Sequence, residues 1–329
     1  MVVALAFTAF ATESGAPWVQ HMRDVRARFT GTNGTLAQFG DSITRSTAYW
    51  APLAGTLKAT GPEAARAHAL VKRYMKAQCW RDWKGAQFGN EGAMTIRWAS
   101  ANVDRWLTRL NPEAVVIMFG TNDVGQMDET EYEARTREVV RRSLMNGTVV
   151  LLTTMPPRSG RLEQARAFAD VARRIAREER VPLIDYFAEI LKRRPGDWDG
   201  ALPQFKGIPG NEYQVPTLIA RDGVHPSNPS RFVNDFSEAG LRTNGFSLRN
   251  YLTLLGYAEV IEKVLQPALY TPGAPADARR GRRAGVQASS RTMSWRCGNR
   301  ATPRAWRRGR GHTGGRCYGL PSELSASTG

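Results

Sequence analysis

Four short, dominantly apolar runs constrain this chain more than any other feature: Leu36–Phe39, Ala114–Phe119, Thr148–Thr153 and Val181–Asp185. Runs of this length without polar alternation suit the central strands of a parallel sheet that is covered on both faces. The covering elements lie between and after them. Ile96, Ala99, Val103, Trp106 and Leu110 recur at helical spacing, as do Tyr132, Thr136, Val139, Val140 and Leu144. The second of these stretches carries Glu131–Arg135, Glu133–Arg137 and Glu138–Arg142 as i,i+4 pairs on its solvent side. Further helices are expected over about Leu162–Glu179 and Tyr251–Leu265. Strand and helix in alternation predict a three-layer α/β/α sandwich with a mostly parallel sheet.

Composition matters mainly for what it excludes. A chain of 329 residues with 42% hydrophobic and 23% charged residues is an ordinary globular one. No apolar stretch approaches the length of a membrane span. Three cysteines cannot supply a disulfide framework or a four-thiolate zinc site. The formal charge of +16 suggests a nucleic-acid partner until it is divided along the chain. From Gly273 onward there are twelve arginines against two acids, so most of the excess belongs to the end of the chain, and no obligatory nucleic acid is expected. Residues 273–329 lack periodicity and are expected to be a disordered tail, whose Arg279–Arg283 and Arg307–Arg310 clusters could bind polyanions. Residues 1–15 hold an apolar run ending in Ala9-Phe10-Ala11, which has the look of a secretory signal without its basic start. A secreted or periplasmic location is therefore expected, with a cytoplasmic one as the alternative. One domain is expected over residues 16–272.

In a parallel α/β sheet, ligands bind beyond the carboxyl ends of the strands. Those positions hold Gly40-Asp41-Ser42, Gly120-Thr121-Asn122-Asp123 and, near the end of the body, Asp222-Gly223-Val224-His225-Pro226. Together they contain the parts of an acyl-transfer site: a hydroxyl nucleophile, an imidazole base and a carboxylate to orient the base. Singly, each is weak. Gly-Asp-Ser and Asn-Asp are common turn and cap residues, and Asp-x-x-His could be half of a metal site, although no second histidine or cysteine lies nearby. The order of the pieces, and the use of one of only four histidines at the needed place, favour chemistry.

On these motifs the sequence resembles the SGNH (GDSL-type) hydrolases. Phe39-Gly40-Asp41-Ser42 matches the nucleophile block, Phe119-Gly120-Thr121-Asn122-Asp123 the Asn block, and Asp222-x-x-His225 the last block. The resemblance implies a flavodoxin-like α/β/α sandwich and hydrolysis of lipid, carbohydrate, aryl or thiol esters, with no cofactor or metal. It further implies Ser42 as nucleophile, His225 as base and Asp222 as its orienter. The oxyanion hole would come from the N–H groups of Ser42 and Gly92 and the side-chain amide of Asn122. Asp41, Gly120 and Asp123 would be supporting residues.

The Gly block is matched least well. Within Gln87-Phe88-Gly89-Asn90-Glu91-Gly92-Ala93-Met94-Thr95 the best alignment uses Gly92, with Gly89 as fallback, and the strand expected ahead of it is poorly marked over Trp80–Ala86. There is no Gly-x-Ser-x-Gly elbow, P-loop or His-Glu-x-x-His.

Two loop-like stretches flank the expected base, Pro195–Arg221 and Ser227–Arg249. The first brings Trp198, Phe205 and Tyr213, expected at the rim of a site for a small-molecule or carbohydrate ester. Cys79 is expected to be a packed thiol, and His21 and His68 to be surface residues. The alternatives left open are acyl transfer at the same site, and a binding protein without turnover that uses the Arg-rich tail.

Overall fold

The computed structural model describes residues 16–84 and 92–266. Both chain ends therefore lie outside the described residues, as do the signal-like N-terminus, the Arg-rich tail and the Gly89 alternative.

Among the described residues, four parallel strands form one sheet in the sequential order β1 (Leu36–Gly40), β2 (Ala114–Met118), β3 (Val149–Thr153) and β4 (Leu183–Ile184). The first three are buried along their whole length, which explains their unbroken apolar character. Register pairs Gly40 with Met118 and Thr153 with Ile184, so the strands end along one common edge.

A parallel sheet in sequential order places its right-handed crossovers on one face. The crossover helices α4 (Ile96–Leu110), α5 (Glu129–Met145) and α6 (Leu162–Glu178) accordingly pack side by side. The other layer comes from the ends of the chain. Here α9 (Gly245–Val260) packs on α3 (Pro62–Tyr74) and β4, and α1 (Trp18–Arg26) packs on β3 and on the π-helical turn Ile261–Leu265 that prolongs α9. Three shorter helices complete the set among the described residues: α2 (Ser42–Arg45), α7 (Tyr186–Arg193) and α8 (Glu238–Thr243). The result is the α/β/α sandwich expected from the alternation. None of the described helices is long and apolar enough to cross a membrane.

Several expectations need correction. The strand sought over Trp80–Ala86 is absent from the described residues. In its place a 3-10 turn, Ala77–Trp80, leads to Trp83, whose carbonyl accepts the Gln38 N–H of β1 at 3.2 Å. The last helix starts at Gly245, not near Tyr251, because Asn244 caps it by accepting the Ser247 N–H at 2.8 Å. Its amphipathic signal was hidden because almost its whole first half is buried, Arg249 and Asn250 included. On α5 the Glu133–Arg137 and Glu138–Arg142 pairs form. Glu131 instead pairs with Arg97 of α4 at 2.5 Å, and Arg135 turns to Glu138. His68 is half-buried, its Nε2 lying 2.7 Å from the Leu53 carbonyl. Cys79, by contrast, is the packed thiol expected: it is buried, and that burial pushes its thiol up to about 12.

Candidate active site

The turn after β1 is shaped by Asp41. Its carboxylate accepts the Ile43 N–H at 3.0 Å and so caps α2, whose first residue is Ser42. Gly40 is required just before it: a Cβ there would lie 2.2 Å from Thr44 Oγ1 and 2.5 Å from the Met118 carbonyl. Ser42 Oγ is thereby presented at the sheet edge, 2.9 Å from His225 Nε2.

The residues Asp222 and His225 come from a loop that organises itself. One Asp222 oxygen accepts the N–H groups of Val224 and His225 at 2.9 and 3.0 Å. The other stands 2.6 Å from His225 Nδ1. Gly223, at φ 70°, makes the turn and lies against Ser159, where a Cβ would come within 2.4 Å of the serine side chain. The Asp222 bond raises the His225 pKa above the ordinary imidazole value; burial opposes this, and the charges of Asp222, Asp41 and Glu212 add to it. Burial resists ionisation of Asp222, but the hydrogen bonds from the His225 ring and the two backbone N–H groups outweigh it and hold the carboxyl below its usual value.

After β2 the chain turns at Gly120, whose φ of 125° and contacts with Met155 Sδ and the Tyr132 hydroxyl leave no room for a Cβ. Asn122 follows, partly exposed. One hydrogen of its amide goes to the Met94 carbonyl at 3.0 Å, which ties this turn to the Gly92–Thr95 segment. The other amide hydrogen is not used by that bond. Gly92 itself is partly exposed, and a Cβ on it would stand 3.6 Å from the Arg45 guanidinium, one helical turn beyond Ser42. Asp123 is fully buried and accepts the Ile96 N–H at 2.8 Å.

Two buried carboxylates therefore stand behind this edge. Burial pushes the Asp41 carboxyl up to about 6, against the pull of Arg249. The Asp123 carboxyl is pushed up to about 7 by burial and by Asp41, the Ile96 N–H partly offsetting both.

Of the three aromatic residues expected at the rim, the structure brings only Tyr213 to the imidazole, edge-on with ring centroids 6.0 Å apart. Trp198 is buried at 8% exposure within the core, and Phe205 lies against Arg194. Sequence reading passed over three arginines. Arg45 stands beside Gly92, a position its i+3 spacing from Ser42 would have indicated. Arg158 donates to the carbonyls of Thr121 and Val124, bracing the Asn122 turn. Arg249 is buried behind Ser42, and no local pattern marks it.

Among curated proteins nothing matches the chain. Among solved structures, a lipase/acylhydrolase from Enterococcus faecalis is 19% identical with a TM-score of 0.40, over 68% of this chain and 95% of the other. A catalytic mutant of an acetylxylan esterase from Geobacillus stearothermophilus is also 19% identical with a TM-score of 0.40, over 71% and 96%. A GDSL-like lipase from Bacteroides thetaiotaomicron is 16% identical with a TM-score of 0.39, over 74% and 97%. The family model for GDSL-like lipases and acylhydrolases matches residues 39–229, more than half of the chain. With its nucleophile-like, Asn and Asp-x-x-His blocks inside that span, the chain belongs to the GDSL-like lipase/acylhydrolase family and is a hydrolase acting on esters.

Proposed function

We propose that this chain is a serine-dependent carboxylic esterase working through an acyl-enzyme, on short-acyl or carbohydrate esters. The observation that carries the reading is the continuous relay from Ser42 Oγ to His225 Nε2 at 2.9 Å and from His225 Nδ1 to Asp222 at 2.6 Å. A serine hydroxyl is a weak nucleophile until an adjacent base takes its proton. As Ser42 Oγ bonds to the ester carbonyl carbon, its proton passes to Nε2, and the carbonyl electron pair moves onto oxygen. Asp222 keeps the Nδ1–H tautomer in place and stabilises the imidazolium.

The oxyanion would be met by the N–H groups of Ser42 and Gly92 and by the second amide hydrogen of Asn122. Each such donor is worth about 2.7–4 kcal/mol of barrier. Collapse of the tetrahedral adduct breaks the bond to the alcohol oxygen, which takes the proton from His225. Water then repeats the sequence on the acyl-enzyme, with His225 again as base.

The substrate class rests on Tyr213. Its ring stands beside the base, where it offers a flat apolar face to a sugar or a small alcohol. The test is hydrolysis of an acetyl-to-palmitoyl ester series and of acetylated xylo-oligosaccharides by wild type and Ser42→Ala. Turnover that favours the short or sugar esters and collapses in the variant supports the reading. Turnover unchanged in Ser42→Ala overturns the mechanism, and a preference for long acyl chains overturns the substrate class.

A further inference from the structure

The first turns of α9 form a polar grip on the segment that follows Ser42. Asn250 accepts the Trp50 N–H at 2.8 Å and donates to the Ala48 carbonyl at 3.0 Å. Thr253 stands 3.3 Å from the Tyr49 hydroxyl. Arg249 donates through Nη2 to Thr44 Oγ1 at 2.8 Å, and its guanidinium carbon lies 3.6 Å above the centre of the Tyr49 ring. Thr44 is the third residue of α2, and its hydroxyl packs on Gly40. Arg249 therefore reaches the nucleophile turn from behind, through the core.

That arrangement is expensive. Arg249 has no exposed surface, and its Nε and Nη1 have no hydrogen-bond partner among the described residues. A buried charge is tolerated only where an opposite charge or a polar cage compensates it. Against the cost of burial, the groups that favour its charge are the hydroxyls of Tyr49 and Tyr186 and, after them, the carboxylate of Asp41. Asp41 is itself fully buried, and one of its oxygens has no hydrogen-bond partner among the described residues. Arg249 is thus the main counterweight of Asp41, while Asp41 shares the support of Arg249 with two tyrosine hydroxyls.

We propose that Arg249 is a positioning residue for ester hydrolysis: it fixes the Ser42-bearing turn through Thr44 and balances the buried charge of Asp41, the residue that caps that same turn. This rests on the reading of Ser42 and His225 as nucleophile and base. The groups facing Asp41 are Arg249 from α9, His225 from its loop, Asp123 and the Thr121 hydroxyl from the turn after β2, and Tyr132 from α5. Those facing His225 are Asp222, Asp41 and Glu212. Lys84 is the other cation close to Arg249, donating to the Ser46 and Tyr49 carbonyls, and it opposes the guanidinium charge without compensating it. An anionic Asp41 favours the imidazolium that forms as Ser42 attacks. Once Asp41 takes a proton, that support is gone.

The experiment follows kcat and KM for 4-nitrophenyl acetate from pH 5 to pH 10, with near-ultraviolet circular dichroism and melting curves for each variant. For Arg249→Met, kcat at pH 7 should fall about tenfold or more with KM little changed. The acid limb of kcat should move up by about one pH unit, with recovery towards pH 9, because Asp41 without its counter-charge ionises later. Arg249→Lys, which keeps the charge, should keep the wild-type limb. A folded Arg249→Met whose limb is unmoved, or whose kcat falls equally at every pH, overturns the proposal.

Should Arg249→Met fail to fold, Asp41→Asn/Arg249→Met decides. Removing both charges should restore a cooperative melting transition that Arg249→Met lacks, and a double variant that also fails to melt cooperatively overturns the pairing. Full activity in Ser42→Ala would instead show that the nucleophile assignment had failed.

Discussion

The Asp123 carboxylate accepts the Ile96 N–H at 2.8 Å and so pins the start of α4, just beyond the Gly92 turn, to the turn that carries Asn122. Its second oxygen is buried with no hydrogen-bond partner among the described residues. The folded protein holds this carboxyl at about 7, above its ordinary value of 3.8. For an acid with a raised folded pKa, the unfolded chain gives up the proton first. The cost to stability is therefore full above about pH 7, shrinks as the pH falls and vanishes below the ordinary value. Asp123→Asn should raise stability most at pH 8.5, by up to about 4 kcal/mol, and much less at pH 4.5. Urea midpoints of the two proteins at both pH values check this, and an equal gain at both would refute it.

Asp222→Asn removes the hydrogen bond that raises His225. A base works only when unprotonated, so the wild-type acid limb of kcat/KM should lie above the ordinary imidazole value, and activity should be lost as the pH falls through it. In Asp222→Asn the limb should move down, while kcat falls about 10²–10⁴-fold as the tautomer and the imidazolium lose their support. A pH–rate profile on a short ester shows both changes.

Asn122→Ala removes one proposed oxyanion donor and also the bond to the Met94 carbonyl. A loss of about 10²–10³ in kcat is expected, with KM changed far less. Asn122→Asp separates the two functions, since it keeps the shape but presents a negative charge to the oxyanion. It should be no more active than the alanine variant, as measured by initial rates at saturating ester.

Glu113 is buried at the start of β2 and gathers three donors: Arg26 at 2.7 Å, the Tyr74 hydroxyl at 2.7 Å and the Gly34 N–H at 2.5 Å. It joins α1, α3 and the approach to β1, well away from Ser42. Glu113→Ala should cost about 3–5 kcal/mol, the usual penalty for leaving buried partners of a charge unpaired. Chemical denaturation should show the loss, while kcat under native conditions stays near the wild-type value.

Where the sequence was legible, the reason is physical. Residues such as Ala114–Met118 are covered on both faces, so burial alone dictates their composition, and they read directly as a strand. The helices α4, α5 and α6 each keep one wet face and so keep their period. Ser42, Asn122 and the Asp222–His225 pair were legible because each sits in a turn with little freedom of residue choice. The start of α9 was not legible, because a helix buried on nearly all sides has no period to read, and its polar residues face partners some 200 positions away. Trp198 misled for the opposite reason. Its neighbours Gly196, Asp197 and Gly200 look like a surface loop, yet the loop folds back and buries the ring.

Asp222 and His225 are three residues apart, whereas Ser42 and His225 are separated by 183. The acid–base half of the site is therefore a local structure that its own turn can assemble, while the nucleophile meets it only when two distant ends of the domain dock. Turnover is then a gauge of that docking. A thermally loosened state that keeps its sheet and its helices would still lose hydrolysis first, and regaining activity would be the last event of refolding.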